Sequence, residues 1–234
     1  MHRRQFNCVP VAAASLLALA AWRQAQAIGI SDLTGAEASQ GLKAALERGA
    51  LAAIGQLGRP DGFLANPKVR IPLPGFLQDA AKFLKKLGQG KQIEELETAM
   101  NRAAEAAVPM ARDLLVNAVK AMSVTDAKAI LTGGETSVTN FFADKTRAPL
   151  SERFLPVVRQ ATEKVGLADK YNRVAGKVAG MGLVKQEDAS IQHYVTRKSL
   201  DGLFLMIGEE EKKIRQDPIG TGSAILRKVF GAAK

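Results

Sequence analysis

Carboxylates gather on one stretch of the chain. Glu94, Glu95, Glu97 and Glu105 lie close together, with Arg102 among them. Glu94 and Glu97 stand three residues apart, so on a helix they share a face, as carboxylates that bridge metal ions must. Di-iron centres of that kind also need a Glu-x-x-His on facing helices. The chain has no Glu-x-x-His. Paired carboxylates can also hydrolyse a glycosidic bond, but acidic residues occur on helix surfaces everywhere. The plain expectation is a solvated helical face with a few ion pairs.

His193 is a second constellation. With Asp188 or Asp201 it could serve as a general base toward Ser190 or Ser199. The Gly-x-Ser-x-Gly elbow that presents a nucleophilic serine is missing, and a histidine beside Tyr194 on an amphipathic helix reads first as a surface or half-buried residue. Gly133-Gly134-Glu135-Thr136-Ser137 is a third. Free N–H groups at the helix start that follows could hold an anion, yet the Gly-Lys-Thr of a phosphate loop is absent. A tight turn, with Thr136 or Ser137 capping the next helix, accounts for the same residues.

Metal and thiol chemistry are narrowed further by the amino terminus. Arg3 and Arg4 form a positive start, Cys8 to Trp22 an apolar run, and Ala25-Gln26-Ala27 a small-x-small site. These are the parts of an export signal cleaved after Ala27. The apolar run falls short of the about 20 residues that span a bilayer, so an uncleaved anchor helix fits less well. Arg3-Arg4-Gln5-Phe6 also fits the twin-arginine pattern, and the general secretory route remains the alternative. Cleavage takes away the only cysteine, Cys8, together with His2, and leaves His193 as the one histidine. A mature chain of this kind has no disulfide, thiolate metal site or thiol nucleophile, and no cofactor is expected.

Composition sets the remaining bounds. Of 234 residues, 47% are hydrophobic and 24% charged, which excludes a disordered polyelectrolyte and a polytopic membrane protein. The net charge is +10, and it becomes +7 once Arg3, Arg4 and Arg23 leave with the signal. The basic residues are dispersed, and aromatic residues do not interleave with them as base-stacking platforms would. No nucleic-acid partner is expected. Lys82-Phe83-Leu84-Lys85-Lys86 on a short amphipathic helix allows contact with a membrane surface.

The elements that must position these residues are helices. Apolar residues recur by threes and fours over about 35–57, 75–87, 91–122, 150–165, 187–216 and 222–231. Shorter helices are expected from Thr125 and Asp126 to Leu131, over about 135–147, and weakly over about 168–178. Pro109 predicts a kink or a break in the long 91–122 helix. Leu203-Phe204-Leu205-Met206-Ile207 is apolar all round, which predicts a central helix buried on every side. It should end in a solvated stretch, Glu209 to Lys213, with Glu209 and Lys213 paired i, i+4.

One segment breaks the helical period. Val69, Ile71 and Leu73 alternate with Lys68, Arg70 and Pro72, which is extended backbone. Pro72 and Pro74 bar a regular central strand. The segment either pins three apolar side chains onto the bundle or offers Val69, Ile71 and Leu73 to a partner chain. The expected fold is therefore all-α. It is a compact bundle of about eight or nine helices in one domain over residues 28–234, with an extended stretch near 68–74.

Several spaced motifs resemble a bacterial family known as domain of unknown function 4197. They are Asp61-Gly62-Phe63 through Pro74, Met100-Asn101-Arg102-Ala103-Ala104-Glu105 with Pro109, Asp126 to Leu131 with Gly133-Gly134, and Leu200-Asp201-Gly202-Leu203-Phe204 through Arg215. The likeness runs from about Ile30 to Gly231. It implies an exported, mostly helical protein of Gram-negative bacteria and implies no activity.

Three functions are consistent with these residues. The first is a non-enzymatic periplasmic or envelope protein that binds a partner or supports assembly. The second is a binder of lipid or another apolar ligand, held between Phe141, Phe142 and Phe154 on one side and Leu203, Phe204, Met206 and Ile207 on the other. The third is an enzyme with a carboxylate or His193 site. Export is directly testable. The chain produced in a Gram-negative host should be recovered from the periplasm beginning at Ile28, as read by intact mass. Lysine at both Arg3 and Arg4 should stop export only if the twin-arginine route is used, and an uncut cytoplasmic chain would refute the signal.

Overall fold

The computed structural model describes residues 35–75, 78, 81, 82, 86, 88, 90–166, 168–173 and 190–217, with side chains from residue 39 onward. The leader, the Gly-rich stretch 176–182, the helix expected over 222–231 and most of the one expected over 75–87 lie outside these residues. Six α-helices are described: α1 (Gly35–Leu57), α2 (Gly90–Ala107), α3 (Arg112–Lys120), α4 (Val124–Thr132), α5 (Ser137–Thr162) and α6 (Ile191–Gln216). No strand occurs among the described residues, and none of the described helices is long and apolar enough to cross a membrane.

The regular amphipathic stretches fold as their periods require. In α1, Leu42, Leu46, Ala50, Ala53, Ile54 and Leu57 are all buried. The expected break at Pro109 is present. Residues Val108–Ala111 form a 3-10 turn between α2 and α3. Proline is tolerated there because its missing N–H would have had no partner at a helix start. The break turns α3 onto α1 while Val108 and Ala111 point inward. Helix α4 starts slightly earlier than its apolar period suggests. Ser123 and Asp126 form a reciprocal capping box, with Asp126 N–H donating to Ser123 Oγ (3.0 Å) and Ser123 N–H to Asp126 Oδ2 (2.9 Å).

Helix α5 departs from expectation. The two helices anticipated at 135–147 and 150–165 are one, and it runs through Pro149 and Pro156. Its buried residues are Val138, Phe142, Thr146, Leu150, Phe154, Val158 and Thr162, every fourth position. At about 100° per residue such a stripe drifts roughly 40° per step around the helix. It packs against α6, α2, α3 and α4. That continuous burial outweighs the two lost backbone hydrogen bonds. Pro156 is exposed and Pro149 half-buried, so both lie off the buried stripe, where water reaches the carbonyls they release.

Helix α6 is central, as predicted. It packs most extensively on α5, then on α1 and α2. It is not covered on every side, however. Leu203, Phe204, Met206 and Ile207 are buried, but Leu205 is 45% exposed. The solvated end also needs correction, since Glu211 is only 3% exposed. Lys213 pairs with Glu210, and Glu209 pairs with Lys68 across the fold, not with Lys213.

The extended stretch is shorter than its alternating pattern. Val69 and Arg70 N–H both reach Asn66 O, so residues 67–69 close a turn and extended backbone begins at Arg70. Val69, Ile71 and Leu73 are buried against the bundle. Tyr194 of α6 donates its hydroxyl to Pro72 O (3.0 Å), which ties the stretch to the central helix.

The loop before this stretch approaches α6 closely. A Cβ at Gly202 would stand 2.8 Å from the Phe63 ring, and Phe63 is fully buried. Gly202→Ala should therefore overpack this contact and lower stability by about 1–3 kcal/mol. The fall would appear as a reduced urea midpoint, and an unchanged midpoint would show that the ring moves aside freely.

Candidate functional site

Three polar side chains identified from the sequence, or lying beside ones that were, turn out to hold the backbone. Asn101, on α2, is fully buried. Its Oδ1 accepts from Ile71 N–H (2.8 Å), while Nδ2 donates to Ile71 O (2.9 Å) and to Glu97 O (2.8 Å). The amide thus completes the extended stretch as a neighbouring strand would. One turn later, buried Glu105 accepts Phe63 N–H (3.0 Å) and Leu64 N–H (3.1 Å) at one oxygen. Arg102 binds the other oxygen (2.7 Å) and also Asp61 (2.8 Å). Glu94 and Glu95 remain exposed, and Glu97 pairs with Arg70. The four carboxylates do not converge. Among the described residues, no group of three or more His, Cys, Asp or Glu side chains gathers as a metal site would need.

Glu211 repeats the arrangement at the other end of the bundle. It lies opposite the start of α5, where N–H groups have no partner within the helix. Val138 N–H and Thr139 N–H each reach one of its oxygens at 3.3 Å. Arg215, one turn on, binds Glu211 Oε1 through Nε (3.1 Å) and Nη2 (2.9 Å). Its Nη2 also reaches Ile130 O (3.0 Å) at the end of α4. The Gly133–Ser137 turn therefore does meet an anion, and that anion is the carboxylate of α6. Thr136 makes no capping bond, and Ser137 Oγ donates back to Ile130 O (3.0 Å). This corrects the expected Thr136 or Ser137 cap. A carboxylate from a distant helix leaves no local sequence signal.

His193 lies exposed on the first turn of α6. Ser190 Oγ is 2.8 Å from His193 Nδ1 and accepts His193 N–H (3.2 Å), so the pair is a helix cap. Asp188 lies outside the described residues. Asp201 stands about 12 Å farther along the helix by its rise and is bound by Arg147 (2.9 Å) and Arg197 (3.5 Å). Ser199 is buried and donates to Val195 O. The structure unites His193 with Ser190 alone.

The apolar candidates are placed in the core. Phe142, Phe154, Leu203, Phe204, Met206 and Ile207 are buried and belong to one cluster. Arg147 lies over the Phe204 ring at 4.9 Å. Phe141 differs. It is half-buried, meets Phe142 edge-on at 5.6 Å, and lines an open groove of about 410 Å³ between α4 and α5 with Asp126, Asn140 and Asp144. The Ser123 hydroxyl, followed by its backbone N–H, holds the Asp126 carboxyl below its ordinary value. Val69, Ile71 and Leu73 face the bundle, so the stretch shows Lys68, Arg70 and Pro72 to solvent. A second open groove, of about 480 Å³, lies where α1 gives way to the following loop. Nothing in the periodicity of the sequence marked it.

Comparison with known proteins gives one relation. Residues 32–231 match the family model described as protein of unknown function (DUF4197). No curated protein and no solved structure matches the chain.

The buried carboxylates supply a direct test. Glu211→Ala leaves two N–H groups and Arg215 without their shared partner, and should cost about 3 kcal/mol in urea unfolding. Glu94→Ala, on the exposed face of α2, should change stability by less than about 0.5 kcal/mol. Similar losses in the two variants would deny Glu211 its capping role.

Proposed function

The chain belongs to the DUF4197 family, and from that premise we propose that it is an exported, non-enzymatic envelope protein that binds a partner or supports assembly. One observation carries this reading. Several of the polar groups that the sequence offered for chemistry, or that lie beside them, are engaged in holding the chain together. Glu105 and Glu211 receive backbone N–H groups and arginines, and His193 completes a cap. A catalytic carboxylate must keep an oxygen for its substrate or for a proton in transit. These two are buried and surrounded by donors that are part of the fold. What the protein shows to its surroundings is a rigid helical body with open grooves, and such a body acts by contact. The amino-terminal residues support the location, since they carry the parts of a cleaved signal.

A second reading keeps one specific support. Phe141 offers an accessible aromatic edge in the groove between α4 and α5, which suits a small apolar ligand. The other aromatic and aliphatic candidates are packed against one another. A ligand among them would have to displace close-packed side chains.

In-cell photo-crosslinking separates these readings. A benzoylphenylalanine at exposed Ala65 or Leu205 should yield discrete heavier bands that contain this chain and a second envelope protein. A lack of such bands from both positions, together with a small-molecule adduct in native mass spectrometry, would overturn the partner reading in favour of the ligand.

A further inference from the structure

The groove beyond α1 is lined by Gln56, Arg59, Pro60, Asp61, Asn66 and Pro67, among others. Its frame is fixed from several directions. Gly62 N–H donates to Arg59 O (3.0 Å), and Gly58 N–H to Ile54 O (2.8 Å), so the backbone carrying Arg59 is held on both sides. Asp61 adopts a left-handed φ of 66°, and Arg102 grips its carboxylate. At Gly62 a Cβ would fall 2.3 Å from Leu57 O, so only glycine fits. Phe63 is anchored beneath the loop against Gly202, and Glu105 accepts the Phe63 and Leu64 N–H groups.

Most of the charges around this frame are paired with one another. Lys68, Arg70, Arg102 and Lys213 are paired with Glu209, Glu97, Asp61 with Glu105, and Glu210 respectively. Arg59 is exposed and forms no ion pair with a described residue. Asn66 gives its Oδ1 to Lys68 N–H (3.1 Å) and keeps its amide N–H groups for another acceptor. Pro60, Ala65 and Pro67 add exposed, stiff apolar surface.

We infer that this groove docks an acidic side chain carried on an extended peptide segment of a partner protein. The planar fork of Arg59 matches a carboxylate through two parallel hydrogen bonds. The Asn66 amide then meets a main-chain carbonyl beside it, while the proline surfaces flank the peptide. A phosphate would need several donors converging on one point, and Arg59 is the one Lys or Arg among the described residues that line the groove. Because the loop is already rigid, docking orders few of its groups, which favours binding by short contacts. The inference rests on the partner-binding reading and names its surface.

The test is an NMR titration of the 15N-labelled chain with acetyl-Ala-Glu-Ala-amide, with acetyl-Ala-Gln-Ala-amide, and with inorganic phosphate. The Glu peptide should shift the amide signals of Gly62, Ala65 and Asn66 saturably, and the Gln peptide should bind at least about tenfold more weakly. Arg59→Ala should lose at least about tenfold in affinity for the Glu peptide, and Arg59→Lys should recover part of it. Both variants should melt with the parent chain, because Arg59 is an exposed loop residue. Equal binding of the two peptides, indifference to Arg59→Ala, or tighter binding of phosphate at the same signals would overturn the assignment. If Arg59→Ala still captures the same cross-linked partner, the binding reading stands and the groove falls. If no partner is captured by the parent chain, the reading itself falls.

Discussion

Buried backbone must find hydrogen-bond partners, and this fold depends on how that demand is met away from its helices. Residues 58–74 cross the face of the bundle without regular structure, and the start of α5 is covered by α6. An unmatched buried N–H costs about 1–3 kcal/mol, so several of them would consume much of a domain's stability. Asn101, Glu105 and Glu211 remove that cost. Each reaches backbone distant in sequence, and each sits on a helix that packing already holds in place.

The two carboxylates carry a cost of their own, because a buried charge is expensive unless it is paired and fully hydrogen-bonded. Each has an arginine on its own helix, Arg102 three residues before Glu105 and Arg215 four residues after Glu211. The guanidiniums stay partly in water, 42% and 20% exposed, so only one charge of each pair is fully buried. The arginines also extend the contact, Arg102 to Asp61 and Arg215 to Ile130 O. One clamp thus joins α2 to the loop after α1. The other joins α6 to the end of α4 and the start of α5. Small residues complete the closure, as at Gly202, where Phe63 lies against the central helix.

The same economy bears on function. Asn101, Glu105 and Glu211 are committed to the interior, and most of the apolar candidates pack against each other. The contact role proposed above accordingly falls on the surface. The loop over residues 58–67 combines the left-handed Asp61 with Arg59, which forms no ion pair with a described residue. A loop tied to the core in this way is suited to the docking role proposed for it.

The sequence by itself determined whatever depends on near neighbours in the chain. The apolar period placed α1 and α6, Pro109 placed the break after α2, and the alternation of Val69, Ile71 and Leu73 marked backbone that is not helical. The family likeness was legible in spaced motifs, several of which contain the clamp residues. Tertiary structure decided the rest. Pro149 and Pro156 argue locally for a break, yet α5 continues because its buried stripe meets a neighbour at every turn. Glu211 sits among charged residues that read as solvated, yet it is buried because the open end of α5 lies opposite. His193 reads first as a surface or half-buried residue and is exposed, with Ser190 capping its helix and no acid beside the pair among the described residues. For α5 and Glu211 the deciding partners lie tens of residues away, and a local pattern carries no trace of what will face it.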